Sequence, residues 1–114
     1  MKDLFMAIGF FAIGHTLIWF QTNGQFISEW AKKNPLIISI LGGTIISYMF
    51  IKATALIAGY YDGALWPGRF IGFSMGITSF AFLTWYFLDE GINIKTAVSL
   101  CLAFALISVQ LFWK

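Results

Sequence analysis

Four continuous apolar runs, separated by short polar breaks, restrict what this chain can become more than any other feature. The hydrocarbon core of a bilayer is about 30 Å thick, and a helix needs about 20 mostly apolar residues to cross it. The runs cover roughly residues 4–20, 36–58, 67–88 and 94–113. Four crossings take about 80 of the 114 residues and leave only ends and turns. The expectation is therefore one transmembrane domain over residues 1–114, an all-α up-down bundle of four spanning helices. Composition agrees: 60% of residues are hydrophobic and 11% charged, too few charges to clothe a small soluble domain. A β-barrel fits poorly, because the runs do not alternate and each is about twice the length of a barrel strand.

The breaks carry the residues expected at membrane surfaces. Gln21-Thr22-Asn23-Gly24-Gln25 ends the first run, and Trp30 with Lys32 and Lys33 suits the headgroup level before the second. Tyr60, Tyr61, Asp62 and Gly63 form the next turn, and Pro67 opens the third helix, where its missing donor is not needed. Lys2 before an apolar run has the outline of a signal peptide. The run lacks a small-residue cleavage site after it, so it reads as a retained first span. Cys101 is single and cannot form an intrachain disulfide. A net charge of +2 gives no indication of nucleic acid as a partner.

Positive residues in short loops set membrane orientation. The side with the termini carries Lys2, Arg69 and Lys114, and the other side carries Lys32, Lys33 and Lys95. Lys52 falls within the second span and is left out of that tally. Such balance fits a dual-topology protein that inserts both ways and pairs antiparallel; alternatively, Lys32 and Lys33 dominate and fix one orientation.

Few residues in the spans can carry chemistry. His15 lies in the middle of the first, where an ionisable side chain usually faces a bundle interior or a wet cavity. Phe11, His15 and Trp19 fall on one helix face, which makes either an aromatic-walled pocket or a neutral histidine bonded to a serine or threonine of another helix. Gly68, Gly72 and Gly76 recur every four residues in the third span, as a packing seam or a hinge. Gly42-Gly43 is a weaker signal of the same kind. Lys52 is expected to snorkel to the interface or to pair with Asp62. Arg69, at a helix start, is a candidate to contact lipid phosphate, pair with Asp62 or help bind an anionic solute. Gln21, Asn23 and Gln25 read as an entrance lining or a solvated turn. Trp19, Tyr48 and Trp85 are the candidate walls around a solute at His15. No Cys/His cluster, phosphate loop or nucleophile with a local base occurs, so neither cofactor, metal nor enzymatic activity is expected.

Residues 70–112 resemble the last two helices of the small multidrug resistance transporters, within the wider drug/metabolite transporter superfamily. The likeness rests on Gly72 and Gly76, the Thr84-Trp85-Tyr86-Phe87 end, the polar turn Asp89-Glu90-Gly91 and the apolar fourth helix. In architecture it extends over the whole chain. The resemblance implies an antiparallel homodimer that moves small solutes by alternating access, with its site between the two first helices. In that family the first helix carries a membrane-embedded glutamate. Here the run Ala12-Ile13-Gly14-His15-Thr16 has no acid, and His15 stands at about the corresponding place. A charged imidazole repels a cation, so the departure points to a neutral or anionic solute, or to a relative that no longer transports.

The sequence thus leads to two expectations. One is a small-solute transporter of the plasma or inner membrane, acting as an antiparallel, dual-topology homodimer with lipid around it. The other is a non-catalytic subunit or scaffold of a larger membrane complex. A pore ranks behind both, because Thr96, Ser99, Ser108 and Gln110 of the fourth span do not share one continuous face.

Overall fold

In hydrocarbon a backbone N–H or C=O finds no water, so a long apolar run satisfies its own polar groups by winding into a helix. The computed structural model, which describes residues 1–113, follows that rule along all four runs. In chain order come α1 (Lys2–Asn23), a 3-10 turn (Gly24–Phe26), α2 (Glu29–Lys33), α3 (Pro35–Tyr60), α4 (Trp66–Leu88) and α5 (Ile94–Phe112). The helices α1, α3, α4 and α5 are long and apolar enough to cross a membrane, and no strand occurs among the described residues. The chain is an all-α, four-helix, multi-pass membrane protein. Lys114, counted above on the side of the termini, lies outside the described residues.

The helix ends follow local chemistry. Asn93 caps α5 by accepting from the Thr96 N–H at 2.8 Å, and Ser28 accepts from Ala31 at the start of α2. Pro35 and Pro67 occupy the first turns of α3 and α4. Asp89 ends α4 in the left-handed region at φ 56°, a conformation that aspartate tolerates better than most residues. The α3–α4 turn uses the same region at Asp62 and Gly63. Packing of α3 along α1 brings the end of α3 to the chain start, where the Tyr60 hydroxyl donates to the Met1 sulfur at 3.5 Å.

Two helix ends run further than the sequence reading placed them: α3 continues to Tyr60, which that reading put in the turn, and α1 passes residue 20. The helix α1 continues past residue 20 to Asn23, because Gln21 has a partner: its side-chain amide donates to the Ile38 carbonyl at 3.4 Å and lies over Gly42 of α3. The Gly42-Gly43 pair thus makes room for a polar side chain from α1. Gln25 turns back to the Thr22 carbonyl at 2.9 Å.

Central in the packing is α1, which lies against both α3 and α4. Ala7 and Phe11 of α1, Ala53 and Ile57 of α3 and Ile71 of α4 form the core. Small residues let these backbones approach, as helix association in lipid requires. A Cβ added at Gly68 would collide with Ile57, one at Gly72 would lie 3.1 Å from the Phe11 ring, and one at Gly14 would lie 3.1 Å from Phe50. By contrast, α5 packs chiefly on α4, with Ile107 its one buried residue and Leu111 reaching the core cluster. Gaps of about 330 and 400 Å³ adjoin the α4–α5 contact, and Ile77, Ala81, Ile92 and Leu100 line both. Large apolar side chains cover the outside, including Leu36, Leu41, Ile51, Leu102 and Phe104, where a bilayer receives them.

Candidate functional site

The helical repeat turns Phe11, His15 and Ile18 of α1 toward a groove between α1, α3 and α4. From α3, Phe50 and Thr54 join them. From α4 come residues at helical spacing: Leu65, Gly68, Arg69, Gly72, Phe73, Gly76, Ile77 and Phe80. The groove holds about 810 Å³, toward the upper end of the 300–1,000 Å³ usual for small-molecule sites.

His15 sits against the aromatic wall. Its ring centroid is 4.9 Å from that of Phe50, in an edge arrangement at 61°, and 6.4 Å from that of Phe11. On the other side it meets bare backbone: a Cβ at Gly76 would lie 2.8 Å from His15 Cε1 and 3.0 Å from Nδ1. The glycine leaves the space that the imidazole occupies. Among the described residues no serine or threonine hydroxyl bonds to the ring. The Thr16 hydroxyl instead donates to the Ala12 carbonyl at 2.8 Å, and that of Thr84 accepts from Trp19.

The polar groups of the groove are unevenly placed. Arg69 is exposed one turn into α4, at the end of the groove, and His15 is deeper, beside Gly76. Seven residues separate Arg69 from Gly76, about 10 Å along the helix axis. Among the described residues no carboxylate lines the groove. A second cavity, the 400 Å³ gap beside α5, shares Phe73, Ile77 and Phe80 with the groove and continues to Thr96, Ser99 and Glu90. The two together run along α4 from Leu65 to the turn after its C-terminus, with Arg69 toward one end and Glu90 at the other.

The structure brings together His15, the three glycines and Arg69, and it places the other candidates elsewhere. Trp19 is 2% exposed and donates from Nε1 to Thr84 Oγ1 at 2.9 Å, edge-on to Phe20 and tilted against Phe87; it joins α1 to α4 outside the groove. Tyr48 is 57% exposed on the outer side of α3, and the Lys52 Nζ lies 5.9 Å from its ring centroid. Lys52 therefore turns to its own helix rather than to Asp62, which stays exposed in the α3–α4 turn. Trp85, also exposed, lines the 330 Å³ gap between α4 and α5 with Phe82 and Phe104. The walls that the sequence reading missed are Phe50, Phe73 and Phe80. The last two were legible as a seven-residue repeat beside the glycines, whereas Phe50 depends on how α3 is turned.

Comparison with protein-family models, with curated proteins and with solved structures finds no match to this chain.

Proposed function

We propose that the protein is a small-solute transporter of the plasma or inner membrane, working by alternating access as an antiparallel, dual-topology homodimer. One observation carries this reading: two cavities in succession along α4 share the walls Phe73, Ile77 and Phe80, and His15 stands in the first. A shift of these shared walls exchanges volume between the halves, as a solute passed from one side to the other requires. Phe73 and Phe80 remain 43% and 51% exposed, so the chain's own helices leave the groove open, and a second copy is the partner that closes it. The balanced loop charges support antiparallel pairing, as does the resemblance of residues 70–112 to small multidrug resistance transporters.

The test is flux into liposomes that hold the purified protein, with a panel of small neutral and anionic solutes. Wild type moves at least one of them, and His15→Ala stops this while chemical cross-linking still gives a dimer. Equal flux in the two proteins removes His15 from the mechanism. No flux for any solute, together with a partner that co-purifies in mild detergent, replaces transport with the scaffold reading.

A further inference from the structure

The groove has a chemical polarity of its own. Its walls are phenylalanine rings, aliphatic side chains and glycine backbone with the one hydroxyl of Thr54, and its two ionisable groups are Arg69 and His15, with no acid among the lining residues. Arg69 stands exposed at the mouth of the groove, with no counter-charge among the lining residues, so an anion entering there meets its guanidinium. A guanidinium offers a planar fork of donors that matches a carboxylate with two parallel hydrogen bonds. The imidazole, about 10 Å further along α4, can donate or accept one hydrogen bond. Beyond it the groove is apolar: Ile18, Ile77 and Phe80 complete it, and Phe80 lies eleven residues, about 16 Å, from Arg69. The site is long, aromatic and positive at one end.

Resting on the transporter reading above, we infer that the groove takes a single-chain amphiphilic anion, its carboxylate on Arg69 and its apolar body along Phe11, His15 and Phe50 toward Phe80. Charge complementarity selects the anion, and the aromatic walls select an extended apolar chain over a compact polar acid. The ionisable residue on the second cavity is Glu90, which faces the opposite end of the path. It disfavours the anion there, so the anion rests in the half that holds His15. A bilayer phospholipid offers the same headgroup charge but two chains, and the groove is assigned to the single chain.

The experiment uses the full chain in non-ionic detergent, with tryptophan-to-pyrene energy transfer as the readout and protein-free micelles as the baseline. The probes are pyrene-labelled dodecanoic acid, its methyl ester and the corresponding amine. The acid binds at least about ten-fold more tightly than the ester, the lower end of what a charge-assisted hydrogen bond contributes. The amine binds more weakly than the ester. Arg69→Gln brings the acid to the level of the ester and leaves the ester unchanged. Gly76→Leu and Thr54→Phe each reduce binding of all three; Thr54→Phe fills the groove from an exposed wall, adds no tryptophan and leaves the glycine seam intact. Equal binding of acid and ester in wild type, lost in both groove-filling variants, overturns the anion and leaves the solute site standing. Binding insensitive to both groove-filling variants overturns the site itself and with it the transporter reading. Displacement of the acid by a few mole per cent of phosphatidylglycerol, but not of phosphatidylcholine, overturns the single-chain solute in favour of a bound lipid.

Discussion

At the scale of single residues, the contact between Trp19 and Thr84 is the buried polar join between α1 and α4. An indole N–H in a dry interior needs an acceptor, and the Thr84 hydroxyl at 2.9 Å supplies it. Trp19→Phe keeps a ring between Phe20 and Phe87 but leaves Thr84 without its donor. Hydrogen bonds between helices in membranes contribute about 0.6 kcal/mol on average and about 1.7 at most. We expect Trp19→Phe and Thr84→Val each to destabilise the protein, with a coupling of about 0.5–1.5 kcal/mol in a double-mutant cycle of denaturant unfolding in mixed micelles. Strictly additive costs mean that the bond contributes nothing. The same residue shows why a shared helix face is an imperfect guide. Each residue turns an α-helix by about 100°, so Ile18 lies only about 20° from Phe11 whereas Trp19 lies about 80° away. Ile18 therefore stays with the groove, and Trp19 rotates into the α1–α4 contact.

At the scale of helices, the seam of Gly68, Gly72 and Gly76 fixes how α4 approaches both α3 and α1. Gly68→Ala drives a methyl into Ile57, and overpacking of this kind costs about 1–3 kcal/mol. Gly59→Ala is the control: nothing lies within 4 Å of the added carbon, so stability is unchanged or slightly raised. Ile57→Ala removes the offending branch, and in that background Gly68→Ala becomes less costly. Thermal unfolding of wild type and the four variants in one detergent checks this, and equal costs at Gly59 and Gly68 count against the seam. The spans themselves were legible because one constraint, the need to bond every backbone group in hydrocarbon, decides them. The α4 wall was legible too, as residues 65, 68, 72, 76 and 80 repeat at helical spacing. The α3 wall was not. Tyr48 and Phe50 are two residues apart, about 200° around the helix, and only the packing of Ala53 and Ile57 against α1 and α4 determines which of them faces inward. The last turn of α1 was missed for a related reason, since Gln21 is polar in sequence but is paired across to α3.

At the scale of the whole molecule, the open groove and the near-equal loop charges bear on one quantity, the orientation of the chain in the bilayer. On the dual-topology proposal, a C-terminal fusion carrying a reporter active only in the cytoplasm is expected to give strong signal, and so is one carrying a reporter active only outside. A single active reporter shows fixed insertion and ends the dual-topology proposal. Adding two lysines to the turn around Asn23 tips the charge balance and collapses the two signals to one.

Ile77, Ala81, Ile92 and Leu100 line both gaps beside α5. Both gaps open outward, and in a bilayer an acyl chain fills such a space. The lipid is then part of the packing: α5, with Ile107 its one buried residue, is clothed more by acyl chains than by protein.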